Sequence, residues 1–396
     1  MRNFVFHTPT KVIFGKETEN KVGSLVKQQR CRKVLVHYGG NSARKSGLLD
    51  RVFKSLNSEG IDYVSLGGVV PNPRLSKVYE GIELCRKEDV DFILAVGGGS
   101  VIDSAKAIGY GVANEIDVWD FYIGKAKPED CLPVGAVLTI AAAGSEMSNS
   151  SVITNEDGWL KRGLGTRMGR CQFAIMNPEL TYTLPSYQTQ CGCTDILMHT
   201  MERYFTPDKD NELTDGISEA LMRTVIHNAK NVLKNPADYN ARAQIMWAGS
   251  LGHNDLTGCG AIGDWSTHQL EHELSGLFDV AHGAGLAAVW GSWARYVYKS
   301  DVSRFVQFAV NVLGVPNDFR NPDKVAIEGI EAMEDFYRYI GMPVSISDMG
   351  ITITDEQIEE MARKCTVDDS EPQGNFKVLN MEDVKNIYRM ARERAV

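Results

Sequence analysis

The chain has 396 residues, 43% of them hydrophobic and 23% charged, which is the balance of an ordinary soluble protein and long enough for two domains. Its formal net charge of −9 argues against a nucleic-acid partner, because phosphate binding needs a basic surface patch. Met1-Arg2-Asn3-Phe4-Val5-Phe6-His7 lacks the apolar core of a signal peptide, and no stretch reaches the roughly 18 apolar residues of a membrane span. A cytoplasmic protein with no membrane partner is expected.

In chain order, Val34-Leu35-Val36 reads as a short buried strand ending at Tyr38-Gly39-Gly40. Leu48, Leu49, Val52, Phe53 and Leu56 then share one face of a helix predicted from Lys45 to Ser58. Ile61 to Leu66 is the next strand, broken by Gly67-Gly68 and Pro71-Asn72-Pro73, and Leu75 to Lys87 is helical. Phe92 to Val96 is the clearest strand, followed by Gly97-Gly98-Gly99-Ser100 and a helix through Ile108. Pro133 to Leu138 reads as one more strand. Strands alternating with helices predict βαβ units in a mostly parallel sheet, whose ligands sit beyond the carboxyl ends of the strands. Both glycine clusters fall at such ends.

After Pro185 only helical spacing remains. Helices are predicted from Tyr187 to Phe205, Leu213 to Leu233, Ala241 to Leu256, Trp265 to Leu277 and Leu286 to Tyr298. Others run from Val302 to Leu313, Lys324 to Ile340, Asp355 to Lys364 and Met381 to Arg394, with 368–375 as a surface loop. The division is an α/β nucleotide-binding domain over 1–185 and an all-helical domain over 186–396. None of the eight cysteines forms a CxxC pair, and Cys191-x-Cys193 reads as two small thiols on a packed helix. Free thiols fit a reducing compartment.

The turn Gly97-Gly98-Gly99-Ser100 lets the backbone approach a pyrophosphate, and N–H groups at the helix start favour negative charge. It is not the GxGxxG fingerprint, because Ile102 stands where the third glycine would fall. A tight turn without a ligand is the alternative. Asp103 is either a cofactor contact or a first-turn carboxylate that complements the helix dipole. From Tyr38 to Leu49 there is no Asp or Glu, and Gly39, Gly40, Asn41 and Ser42 precede Arg44 and Lys45. NAD sites offer a carboxylate to the adenosine ribose and NADP sites avoid one, so NADP(H) is favoured, with NAD(H) the alternative. Thr139 and Ser145 flank a run of small residues suited to a close ligand. Lys161 is a candidate phosphate partner, although its spacing alone marks a surface lysine.

Three of the eight histidines, His268, His272 and His282, fall within fifteen positions. Asp195 and His199 lie four apart on one predicted helix and so share a face, displaced from Leu197 and Met201. His268 and His272 repeat that spacing, with Leu270, Leu274 and Leu277 turned away. His282 sits between small residues, where the chain can bend back toward the others. One carboxylate and several imidazoles suit a divalent ion, Fe2+ or Zn2+. His7, His37, His227 and His253 read as structural or surface residues; of these, His37 lies near the proposed adenosine end.

Ala95 to Asp103, Gly263 to Ser275, Asp279 to Ala287 and the run from Leu184 through Asp195, His199 and Glu202 together resemble the iron-containing (group III) alcohol dehydrogenase family, particularly its butanol dehydrogenase branch. The resemblance runs almost end to end. It implies a dehydroquinate synthase-like architecture with a cleft between its two domains, and Asp195, His199, His268 and His282 as metal ligands. His272 is then left as the catalytic group near the nicotinamide and the reacting oxygen. It further implies hydride transfer between NADP(H) and a small alcohol or aldehyde, and a homodimer through N-terminal strands such as Phe4-Val5-Phe6 and Val12-Ile13-Phe14. A diol or hydroxy-acid dehydrogenase is the nearest rival, and a non-catalytic nucleotide- or metal-binding protein a remote one. Two residues depart from the family pattern: Ala143 stands where threonine is common, and Asn177 replaces an aspartate before Pro178.

Overall fold

A computed structural model describes residues 1–393, so Arg394, the predicted end of the last helix, lies outside the described residues. The chain divides into two compact units. The first, His7–Leu184, contains strands β1 (Lys11–Phe14), β2 (Lys33–Tyr38), β3 (Asp62–Leu66), β4 (Phe92–Gly97), β5 (Val134–Leu138), β6 (Ser150–Asn155), β7 (Leu160–Gly165) and β8 (Phe173–Met176). Its helices are α1 (Val22–Gln28), α2 (Ser42–Lys45), α3 (Leu48–Ser58), α4 (Leu75–Lys87), α5 (Gly99–Ala113) and α6 (Val118–Tyr122).

Six strands form one parallel sheet in the order β1-β8-β5-β4-β2-β3, and β6 and β7 form a separate antiparallel hairpin. Every residue of β4 is buried, as expected of a parallel strand covered on both faces. On one face Val34, Val36, Phe92, Leu94 and Val96 meet Val22, Val26, Leu48, Leu49, Val52 and Leu56. Each such side chain contributes about 1.5–3 kcal/mol relative to leaving it in water. The chain leaves β2 toward β3 on one side and leaves β4 toward β5 on the other. The connections therefore reverse between β2 and β4, the place where open α/β sheets bind ligands.

The predicted helix from Lys45 to Ser58 starts at Leu48 as α3, separated from the short α2 by Gly47, whose φ of 70° belongs to the left-handed region that glycine enters freely. Of the two N-terminal strands expected, Val12-Ile13-Phe14 lies in β1 and Phe4-Val5-Phe6 forms no strand; β8, α1, α6 and the β6–β7 hairpin add to the elements expected. Four- to seven-residue segments carry too few turns or alternations to register as a period.

The second unit joins Met1–Phe6 to the chain from Pro185 onward. Its helices are α7 (Ser186–Tyr204), α8 (Glu212–Lys234), α9 (Tyr239–His253), α10 (Ser266–Phe278), α11 (His282–Val297), α12 (Val302–Asn311), α13 (Pro322–Tyr339), α14 (Asp355–Cys365) and α15 (Met381–Arg392). No strand occurs there among the described residues, and no described helix is long and apolar enough to cross a membrane. The first six residues, expected in the α/β domain, are held instead by Arg2: its N–H donates to the Gly260 carbonyl at 2.8 Å, and its guanidinium bonds Asp208. Helix α7 is enclosed by α8, α9 and α11 and is buried on nearly every side. It nonetheless carries Asp195, His199, Glu202 and Arg203 inward, and buried polar groups are costly unless partnered.

In the α/β unit, His37 on β2 is fully buried between Leu66 on β3 and Ser104 on α5. Nδ1 must donate to the Leu66 carbonyl (3.0 Å), so Nε2 accepts from the Ser104 hydroxyl (2.9 Å) and the ring is neutral. Burial lowers its pKa to about 4. Its contribution to stability is thus complete above the unfolded histidine value of about 6.5 and is lost as pH falls toward 4. Replacing His37 with Gln should flatten the decline in urea stability between pH 6.5 and 4; an unchanged slope would show that His37 is not responsible for it.

Candidate metal centre

Asp195 and His199 project from α7, His268 and His272 from α10, and His282 is the first residue of α11. The bend expected around His282 is a helix start, four residues earlier than predicted. The glycines at 283 and 285 serve close packing rather than a turn. Asp195 Oδ1 lies 3.4 Å from His199 Nδ1, 3.8 Å from His268 Nε2 and 3.7 Å from His282 Nε2. Asp195, His268 and His282 form the tightest group, with one ligand atom from each lying within 4.8 Å of the others.

Asp195 Oδ1, His199 Nδ1 and His268 Nε2 are buried and have no hydrogen-bond partner. Such orphaned atoms require an explanation, and three facing one another call for a cation. Ligands about 2.1 Å from a shared tetrahedral ion stand about 3.4 Å apart, close to the separations found. His272 is also buried, with its ring 6.3 Å from that of His268 and 6.0 Å from that of His282. It borders the ligand group without joining its tightest cluster.

Behind the candidate ligands stand carboxylates that the sequence did not single out as functional. Glu202, one turn beyond His199 on α7, accepts the His268 backbone N–H at 3.0 Å and pairs with His268 Nδ1. Glu271, on α10, pairs with His282 Nδ1. Burial alone would lower the His268 pKa, but Glu202 and Asp195 outweigh it and hold it near 9. His199 is pushed well below its ordinary value, first by burial and then by its neighbours His253 and His268. Its ring stacks on His253 at 3.9 Å, and Arg203 donates to His253 Nδ1 at 3.0 Å. Arg203 also lies over the ring of Trp265, 4.5 Å from its centroid. Trp265 precedes α10 with a φ of 67°, an uncommon conformation for a bulky residue that persists where its surroundings over-determine it. His253 is therefore structural, as expected, yet it touches a ligand ring.

In the α/β unit both glycine loops meet at the reversal between β2 and β4. Tyr38 pairs with Val96 in register, and a Cβ on Gly39 would stand 3.7 Å from Val101 of α5. Gly98 starts α5 without a side-chain cap, leaving the first N–H groups of the helix, with Gly99 and Ser100, for an acceptor. A Cβ on Gly99 would lie 3.0 Å from Ala143 Cβ and 3.3 Å from Ser145 Oγ, while Thr139 N–H donates to the Gly97 carbonyl at 3.0 Å. Gly97, Gly98, Gly99, Ser100, Thr139 and Ser145 are thus one cluster, with the Ala143 methyl facing the turn. Gly40, Asn41, Ser42 and Lys45 are exposed, and Arg44 is anchored on the Tyr38 hydroxyl at 2.8 Å.

Asp103 accepts the Val152 N–H at 2.9 Å and so ties α5 to the hairpin, which is more than dipole compensation. Lys161 is a correction: it is buried on β7 opposite Thr154, not a surface lysine. Lys106, also not singled out from the sequence, is fully buried and donates to the carbonyls of Ser145 (2.7 Å), Ser148 (3.1 Å) and Ser150 (2.8 Å). Asn177 caps the short turn after β8, accepting the Glu179 N–H at 3.1 Å.

Residues 9–178 match the family model described as iron-containing alcohol dehydrogenase, and 189–392 match that of the Fe-containing alcohol dehydrogenase family, C-terminal. The chain is 38% identical to the probable NADH-dependent butanol dehydrogenase 1 of Bacillus subtilis, covering 98% of this chain and 99% of that protein. It is 32% identical to the NADPH-dependent aldehyde reductase YqhD of Escherichia coli, covering 99% and 100%. The crystal structure of NADH-dependent butanol dehydrogenase A from Thermotoga maritima superposes with a TM-score of 0.95 at 39% identity, covering 99% of each chain.

The ligand geometry depends on α11 approaching α7. A Cβ on Gly283 would fall inside the backbone carbonyl of Cys191, with no flexible side chain to yield. Replacing Gly283 with Ala should cost about 1–3 kcal/mol in urea denaturation of the metal-free protein. Gly216, on α8, has nothing within 4 Å of its Cβ position, so Gly216→Ala should stabilise by about 0.5–1 kcal/mol. Equal effects of the two substitutions would contradict the close-approach argument.

Proposed function

This chain belongs to the iron-containing alcohol dehydrogenase family, and on that premise we propose the residues that carry its chemistry, the nucleotide it prefers and the substrate it takes. It is a metal-dependent NAD(P)(H) alcohol dehydrogenase and aldehyde reductase. In our reading Asp195, His199, His268 and His282 hold a divalent ion, Fe2+ in the first place with Zn2+ the alternative. The observation that carries this is the buried, unpartnered Asp195 Oδ1, His199 Nδ1 and His268 Nε2 facing one another, with His282 Nε2 3.7 Å from the same carboxylate oxygen, a donor set suited to either metal.

When bound, the ion supplies Lewis-acid polarisation of the substrate oxygen and the nicotinamide gives or takes the hydride. The protein contributes placement and dryness. Asp195, His199, His268 and His272 are all buried, so a reacting group beside them is shielded from bulk water and meets fixed dipoles. In aldehyde reduction a ring nitrogen of His272 supplies the proton that the product oxygen needs; in alcohol oxidation it takes that proton. Gly97, Gly98, Gly99, Ser100, Thr139 and Ser145 receive the pyrophosphate end of the nucleotide, where the uncapped start of α5 favours negative charge. Asp103 and Lys161 act through the hairpin beside this cluster.

For the nucleotide we favour NADP(H). The loop after β2 offers Gly39, Gly40, Asn41, Ser42 and the exposed Lys45, with no carboxylate to repel a 2′-phosphate. The relatives carry both NADH- and NADPH-dependent names, so the loop chemistry is the argument. For the substrate we favour a small primary alcohol or aldehyde of the butanol–butanal type, after the relatives named butanol dehydrogenase. A cytoplasmic homodimer completes the reading, supported by the exposed Phe4, Val5 and Phe6 and by β1 at the open edge of the sheet.

Two experiments test this. His268→Ala should lose stoichiometric metal and butanal reduction together, whereas replacing His272 with Ala should leave metal bound and lower kcat about 100-fold or more. Normal turnover by metal-free His268→Ala would remove the mechanism. Lys45→Glu should lower kcat/KM for NADPH about tenfold relative to NADH, the value of one charge-assisted contact. A native preference for NADH that Lys45→Glu leaves unchanged would overturn the nucleotide assignment.

A further inference from the structure

Resting on the ligand assignment above, we propose that Glu202 and Glu271 are positioning residues of unequal importance: Glu202 fixes the place and tautomer of His268, while Glu271 mainly lends charge to His282. Neither carboxylate reaches the ligand cluster itself; each acts through the far nitrogen of one imidazole. His268 and His282 both turn Nε2 toward Asp195; for an ion to be held among them, each Nε2 must present its lone pair and each Nδ1 must carry the proton. A carboxylate on Nδ1–H locks that tautomer and orients the ring.

The two carboxylates differ in what occupies their second oxygen. Glu202 Oε1 accepts the backbone N–H of His268 at 3.0 Å while Oε2 pairs with His268 Nδ1. Both partners are obligatory donors. A glutamine there has one acceptor and an NH2 group, so in either orientation it sets N–H against N–H. Glu271 is more forgiving. Oε2 pairs with His282 Nδ1 and Oε1 with the hydroxyl of Ser275, which can donate or accept. A glutamine at 271 keeps its carbonyl on His282 and donates its NH2 to Ser275 Oγ, whose proton then turns to the Val280 carbonyl 3.4 Å away. Room for Glu271 comes from Gly285, where a Cβ would stand 2.9 Å from Glu271 Cγ.

The test is Co2+ binding to the metal-free full-length protein, read by chelator competition and by the visible absorption of the bound ion, with apoprotein melting as the check on folding. Glu202→Gln should weaken Co2+ binding about 10–100-fold and alter the absorption, while the apoprotein still melts in one cooperative transition, at a lower temperature than native because a buried N–H loses its acceptor. Glu271→Gln should weaken binding only about two- to fivefold, the difference between a charged and a neutral acceptor. Should Glu202→Gln fail to fold, Glu202→Asp carries the prediction, since it keeps charge and both oxygens but withdraws them by one methylene: it too should weaken binding and alter the spectrum. Native affinity in the folded variant at position 202, or an equal or larger loss at 271, overturns the proposal while leaving the ligand assignment standing. Failure of the native protein to take up Co2+ stoichiometrically overturns both.

Discussion

The helical unit is organised around one electrostatic constraint: a buried carboxylate oxygen of Asp195 with a nitrogen of each of three imidazoles within about 4 Å of it. A core of that composition repels itself unless a proton or a metal cation sits among the lone pairs. Several otherwise costly features follow from it. Helix α7 is buried on nearly every side yet polar along one stripe, Trp265 adopts a left-handed backbone before α10, and Gly283 lets α11 close on α7. Because these candidate ligand atoms come from α7 and from the α10–α11 pair far along the chain, holding them together takes tertiary packing, and any ion they hold couples its binding energy to the stability of that packing.

The nucleotide end is built on the opposite principle. There the sheet topology does the placing: connections reverse between β2 and β4, and both glycine loops emerge at that reversal. Side chains then fix the loops. Lys106 gathers three carbonyls of the 145–150 segment, so a loop that must lie close to α5 keeps its shape through a buried charge that is fully hydrogen-bonded. His37 links β2, β3 and α5 as a neutral bridge. These interactions leave the uncapped helix start and the exposed loop after β2 available to a ligand.

Much of this was legible in the sequence because its signals are periodic or local. The run Phe92 to Val96 followed by three glycines announces a buried strand and a close backbone approach, and the i, i+4 pairs Asp195/His199 and His268/His272 announce polar faces on helices. What escaped was of two kinds. Short elements such as β8, α6 and the β6–β7 hairpin carry too few residues to establish a period, and Gly47 starts α3 later than the apolar pattern suggests. Side chains whose meaning depends on burial carry no sequence signal of it. Lys161 looks like any surface lysine, Lys106 like a polar position in a helix, and Glu271 like a solvated neighbour of His272, until the fold shows each of them enclosed. His282 was assigned to the site through the family resemblance but placed in a bend, because Gly283 and Gly285 resemble a turn; their purpose is to admit Cys191 and Glu271.

That last case shows how composition and chemistry interlock. Alanine in place of either glycine would suit a helix better by its intrinsic preference, by roughly 0.5–1 kcal/mol. Glycine is present at both because the first turn of α11 must satisfy two unrelated demands at once. At 283 the backbone has to touch α7 so that His282 reaches Asp195, and at 285 it has to leave space for the carboxylate that orients the same histidine. Local helix preference is thus given up at two positions just after one candidate ligand. The gain is geometric: His282 is fixed at its Nε2 by distance and at its Nδ1 by a partner, from a helix start that carries few hydrogen bonds of its own. A ligand so determined by its surroundings is set in place by the packed fold, independently of the flexibility of its chain neighbours.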